Sequence, residues 1–212
     1  KRLVVALRGR LLPLIVACAL FIENMDSTVL STSLPTIAGD LGTEPIALKL
    51  ALTTYLLSLA IFIPISGWIA DRFGARRIAI FGGLCFSAGM FLASFTTSLL
   101  WLYLTAGVLV GLGLGFGYLP PLYVGFKWYP EARGLVSGLA VGIFAMGAGL
   151  VGPLAGGLLG WKGLIALYGW RNTFRVLAGV YFLCTMVGAL WLNEPPADFV
   201  APQATHKPSA PK

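Results

Sequence analysis

Glu23 and Asp26 stand three residues apart in a stretch that is otherwise almost wholly apolar. An ionisable side chain near the middle of a bilayer costs ~2.5–3.5 kcal/mol on insertion scales, so it must face protein or water. Positions i and i+3 share one face of a helix, and Ser27 and Ser31 continue the stripe from Glu23 at i+4 and i+8. Low-dielectric surroundings favour a neutral acid, and a neighbouring carboxylate favours it further. Such a pair can take up a proton on one side of a membrane and release it on the other. A structural helix contact, with Asp26 hydrogen-bonded near the outer surface, is the other use that fits.

A second polar cluster reads Gly67-Trp68-Ile69-Ala70-Asp71-Arg72-Phe73-Gly74-Ala75-Arg76-Arg77. It describes a tight turn between two spanning helices. Gly67 allows close helix approach, Gly74 permits the chain reversal, and Asp71 can cap a helix or pair with a base. Arg72, Arg76 and Arg77 hold the turn on the cytoplasmic side. Two glycine-rich stretches complete the set. Gly107, Gly111, Gly113, Gly115 and Gly117 precede Tyr118-Leu119-Pro120-Pro121, and Gly152-Pro153-Leu154-Ala155-Gly156-Gly157 follows later. Proline inside a helix removes a backbone hydrogen bond and bends it. Such helices suit either a deformable wall along a path or a tight packing face.

The elements that must carry these residues follow from composition. Of 212 residues, 58% are AVILMFWYC and 11% are charged, and the mean hydropathy is +0.86. Soluble domains carry about 25% charged residues, and a core of this size cannot hide so much hydrocarbon. The expected fold is therefore an all-α membrane protein. A bilayer core needs ~20 apolar residues per helix. Six segments qualify, at about 11–34 (stopping at Pro35), 46–70, 78–95, 99–126, 134–159 and 174–192. Residues 194–212 form a Pro/Ala-rich flexible tail or the start of a longer loop.

Charge placement gives orientation. Lys1, Arg2, Arg8, Arg10, Arg72, Arg76, Arg77, Lys127 and Arg133 fall on one side, against Lys49, Lys162, Arg171 and Arg175 on the other. The richer side is cytoplasmic and holds both termini. The net charge of +7 thus reflects membrane topology, and no nucleic-acid partner is expected. Cys18, Cys85 and Cys184 each lie in an apolar run, and the one histidine, His206, lies in the tail. No metal site, cofactor, disulfide framework or nucleophile–base constellation is expected, hence no enzyme.

GWIADRFGARR resembles the loop 2–3 signature of the major facilitator superfamily. ENMDSTVLSTSLPTIAGDLG resembles the first-helix signature of its fourteen-span drug:proton antiporter branch, with Asp26, Thr28 and Pro35 at characteristic positions. GPLAGG is similar to the antiporter motif of drug exporters, with Ala148 where a preceding glycine is usual. The fourth span lacks the arginine of that branch and carries no charge until Lys127. Its glycines and Pro120-Pro121 resemble the oxalate/formate exchanger and monocarboxylate branch instead. The resemblance implies a half-bundle of 3+3 inverted repeats. It also implies a charge–dipole latch made by Asp71, Arg72, Arg76 and Arg77 within the Gly67–Gly74 turn, which stabilises one access state. Gly113, Gly117, Pro120 and Pro121 would line the path, Gly152, Pro153, Gly156 and Gly157 would form the antiporter-like helix, and Glu23 and Asp26 would exchange protons.

The expected protein is a secondary transporter domain in a bacterial inner membrane, contacting lipid, protons and a small organic substrate. In this superfamily the substrate path runs between two six-helix halves, so a second half, from the same chain or another copy, is expected. Proton-coupled export of amphipathic organic compounds is the leading reading. An organic-anion carrier and a non-transporting membrane assembly partner are the alternatives.

Overall fold

The computed structural model describes residues 28–157 and 162–195. Among these residues it is helical, without strands. Helix α1 covers residues 28–41, α2 Pro45–Phe73, α3 Ala75–Ala93, α4 Leu99–Trp128, α5 Arg133–Gly156 and α6 Leu164–Trp191. Five of these, α2 to α6, are long and apolar enough to cross a membrane. Glu23, Asp26, Ser27 and the first part of the segment at 11–34 lie outside the described residues, as do residues 196–212 of the tail.

Pro35 does not stop the first helix, which continues to residue 41. Proline removes the N–H that would bond the carbonyl of Ser31, one bond of the ladder, and the helix carries on past it. Ser31 and Thr32 donate to the Thr28 carbonyl (3.0 and 2.6 Å), and Ser33 donates to that of Val29 (2.7 Å). Termination waits for Gly42, at φ +60, where Thr43 N–H reaches back to Ala38 O at 3.1 Å. The last helix also begins earlier than residue 174. A short stretch from Leu164 meets Gly169 (φ +77), and the spanning part starts beyond that kink.

Helices α2 and α3 abut at one residue. Gly74 adopts φ +87, its N–H donates to Ala70 O at 2.9 Å, and α3 restarts at Ala75. A side chain at that φ is strained, so the turn needs glycine. Helix α4 starts at Ser98, whose hydroxyl accepts from Trp101 N–H at 3.3 Å. It then passes through a π-helical stretch, Tyr103–Leu109. There Val110 N–H reaches the carbonyl five residues back, at Thr105.

Helix α4 is the centre of the bundle. Of its most apolar window 56% is buried, against 22% for α2 and 21% for α5. Lipid is as apolar as leucine, so helix association in a membrane relies on close packing of small residues. Two glycine seams on α4 provide it. Gly107, Gly111 and Gly115 meet Thr54, Ser58 and Phe62 of α2, four residues apart on both helices, and a Cβ at any of them would lie 2.6–2.9 Å from these side chains. Gly113 lies directly on the Phe86 backbone of α3, and a Cβ on the facing Gly82 would lie 2.8 Å from both Gly113 O and Gly117 N. The larger core includes Leu30, Tyr55, Met90, Val110, Phe174 and Tyr181. A smaller core near the Gly74 turn includes Ala75, Leu122, Val124, Trp128 and Leu192.

Candidate gating loop and helix junctions

At one end of the bundle, Asp71, Arg72, Arg76 and Arg77 are exposed around the Gly74 turn. Upstream, Gly67 faces the side chain of Leu119 on α4, whose Cδ1 would lie 3.2 Å from an added Cβ. The turn is tied to the ends of α4 and α6. The Lys127 ammonium of α4 sits 4.2 Å from the Tyr123 ring centre. Lys127 Nζ lies 2.6 Å from Glu194 Oε2, the one ion pair among the described residues. Glu194 Oε1 accepts the Ala75 N–H at 3.4 Å, at the start of α3. Trp128 Nε1 donates to Asn193 O at 2.9 Å, pinning the adjacent backbone. One polar chain therefore runs Lys127, Glu194, Ala75.

Helix α5 brings its glycine–proline motif against α1. A Cβ on Gly152 would lie 3.0 Å from Thr28 Cγ2, and one on Gly156 would lie 2.5 Å from Thr32 Cγ2. Glycines four residues apart thus receive threonine methyls four residues apart, directly following the segment that holds Glu23 and Asp26. Pro153 O accepts Gly157 N–H at 2.8 Å, and Gly157, at φ +89, ends the helix. Gly163 then packs on the backbone of Gly156 and Gly157, folding the chain back toward α6.

Gly113 is enclosed by α3, and Gly117 places its backbone against Gly82. Pro120 and Pro121 are buried within α4, where they leave the carbonyls of Phe116 and Gly117 without helical donors.

At the opposite end, Arg171 and Arg175 bind protein groups. Trp170, 2% exposed, donates its indole N–H to Asp40 Oδ2 of α1 at 2.7 Å. Arg171 donates to Thr96 O at 3.1 Å and lies over the Trp170 ring. Arg175 donates to Ser94 Oγ at 3.2 Å and lies over Phe95. The ends of α1, α3 and α6 on this side are thereby joined. Sequence reading did not single out Tyr123, Glu194, Asp40 or Thr32. A signal existed only for Glu194, an acid placed just after a spanning run and before Pro195.

Comparison with known proteins identifies the frame. The chain is 34% identical over 148 residues to the uncharacterized MFS-type transporter YhjX of Escherichia coli, covering 68% of this chain and 34% of that protein. It is 41% identical over 133 residues to monocarboxylate transporter 3 of Rattus norvegicus, covering 63% and 26% respectively. The chain thus spans about a third or less of the length of these relatives. Among solved structures, a bacterial homolog of the human lysosomal transporter Spinster, in an inward-facing and unoccupied conformation, superposes with a TM-score of 0.72. That match has 21% identity and covers 94% of this chain and 46% of the other, a likeness of fold. The model of the Major Facilitator Superfamily matches residues 16–212. With a helical bundle of this architecture and that match over most of its length, the chain belongs to the Major Facilitator Superfamily.

Proposed function

We propose that this chain is one six-helix half of a secondary transporter for small organic acids, which works against a second half. The observation that carries this reading is the 33–41% identity to monocarboxylate transporters of several vertebrates. A fourth helix with no charge before Lys127 is compatible with it. The ligand for a carboxylate then has to come from the second half or from the residues that precede 28. In this reading Glu23 and Asp26 exchange protons during the cycle, and Asp71, Arg72, Arg76 and Arg77 latch the inner side against the second half. The membrane is a bacterial inner membrane and both termini are cytoplasmic.

Proton-coupled export of amphipathic compounds is supported by a different observation. The antiporter-like glycines of α5 receive Thr28 and Thr32 of α1, so movement of α5 would be felt by α1, which follows the two acids in the sequence. One experiment separates the two readings. The protein including its second half is reconstituted into proteoliposomes. Uptake of radiolabelled L-lactate under an inward proton gradient is compared with gradient-driven efflux of ethidium. Lactate uptake that collapses with a protonophore, and that loses its gradient dependence in E23Q or D26N, is expected. Ethidium efflux without lactate uptake would overturn the organic-acid reading in favour of export.

A further inference from the structure

Ala75 opens α3 and is wholly buried, and its N–H finds no acceptor in its own turn. The ladder of α2 ends at Gly74, whose N–H still donates to Ala70 O at 2.9 Å. At φ +87 Gly74 then turns the chain, and it has no side chain with which to cap the new helix. A buried N–H left without a partner carries the full cost of its lost hydration. The acceptor comes from 119 residues further on, as Glu194 Oε1 at 3.4 Å. Three contacts set that carboxylate in place. Its Oε2 takes the Lys127 ammonium at 2.6 Å, at the end of α4. Trp128 Nε1 donates to Asn193 O at 2.9 Å, which fixes the backbone one residue before it. Leu192, 3% exposed, packs in the same small core as Ala75 and Trp128, so the segment leaving α6 lies beside the start of α3.

We propose that Glu194 is a positioning residue for the Gly74 turn. By capping Ala75 from the segment that leaves α6, it fixes the start of α3 against the ends of α4 and α6. The exposed Arg72, Arg76 and Arg77 on either side of Ala75 are thereby held in one place relative to the bundle. The amino end of α3 carries a partial positive charge that favours an anion there. Lys127 orients the carboxylate from its far side. The two partners of the ion pair are therefore unequal. Loss of the lysine leaves the acceptor in place, held by the Trp128 bond and by Leu192. Loss of the carboxylate frees the Ala75 N–H. The bearing on transport rests on the latch reading given above; the hold on the turn does not.

The test reads hydrogen exchange at single amides in the reconstituted protein with its second half. It compares wild type with K127M, E194L and E194Q/K127M, all at partly exposed positions. E194L should speed exchange at Ala75 by about tenfold, the size expected for a hydrogen bond to a charged group. K127M should leave that amide near its wild-type rate. E194Q/K127M should recover most of the loss, because the amide oxygen accepts the same N–H with no ammonium competing for it. Equal acceleration by K127M and E194L would overturn the proposal, since the ion pair and not the cap would then hold the turn. An unchanged Ala75 amide in E194L would also overturn it. Amides from Gly107 to Gly115 of α4 serve as the internal standard. If they quicken in E194L as much as Ala75 does, Glu194 stabilises the bundle at large and the proposal falls. In the transport assay described above, E194L should lower the maximal rate at unchanged KM, and E194Q/K127M should restore it. The expected exchange pattern with transport indifferent to every variant would keep the positioning of the turn and remove the latch.

Discussion

Gly82→Ala tests how closely α3 and α4 are packed. The added methyl would meet Gly113 O and Gly117 N at 2.8 Å and Phe116 C at 3.0 Å. All three are backbone atoms, so none can turn aside as a side-chain tip would. Ordinary contact begins near 3.4 Å, so the two helices must separate by roughly half an ångström along this seam. A gap of that size forfeits a quarter or more of the dispersion energy of each facing pair, and overpacking of this kind costs ~1–3 kcal/mol. Against this stands the ~1 kcal/mol that alanine gains over glycine inside a helix. The expected net loss is up to about 2 kcal/mol, a factor of up to ~30 in the folded-to-unfolded ratio. Two controls fix the scale. A Cβ on Gly138 meets nothing within 4 Å, and one on Gly67 meets only the movable Leu119 side-chain tip at 3.2 Å. Gly138→Ala should therefore gain up to ~1 kcal/mol, and Gly67→Ala should be close to neutral. Denaturant titration of the three variants in the same bicelles gives the ranking. A Gly82→Ala protein as stable as Gly138→Ala would refute the backbone-on-backbone seam.

Gly156→Ala should lose about 1 kcal/mol by pressing on Thr32 Cγ2, and adding Thr32→Ser, which removes that methyl, should recover most of the loss in the same titration. Gly74→Ala places a side chain at φ +87 and should cost ~1–3 kcal/mol from backbone strain, read as a lowered thermal midpoint. Trp170→Phe leaves the ring in place but deletes the donor to Asp40. A hydrogen bond to a charged group is worth ~1.5–3 kcal/mol, so a loss near the lower end is expected at this exposed acceptor. If Trp170→Phe and Asp40→Asn together cost no less than the sum of the two alone, that bond does not hold this end of the bundle.

Helices α2 to α6 were legible because a run of twenty apolar residues is a statement about solvent, independent of tertiary detail. Where the chain met proline the reading erred. Pro35 reads as a stop, but it removes one bond of the ladder, and the end of the helix is set by Gly42. The turn motif at Gly67–Arg77 could be found from spacing, since its glycine answers to backbone geometry that is local. Its connection to Glu194 could not, because that residue is 119 positions from Ala75 and the two come together only through helix packing. The glycines of α4 illustrate the same boundary. Their number announces close approach, while which neighbour each one admits depends on rotation of the helix, which composition does not encode.

The π-helical stretch of α4 gives this helix two independent phases. On its amino-terminal side, Tyr103 donates to Ala47 O at 2.7 Å and Trp101 to Leu92 O at 3.0 Å. Past it, the glycine ridge from Gly111 onward interlocks with two neighbours. One residue of an α-helix corresponds to ~100° of rotation and 1.5 Å of rise. The wide turn at Tyr103–Leu109 already takes up one extra residue, so deleting a single residue there would make α4 regular and leave both sets of anchors aligned. Comparisons of this helix across relatives therefore require separate alignment of its two ends, with any length difference absorbed between them.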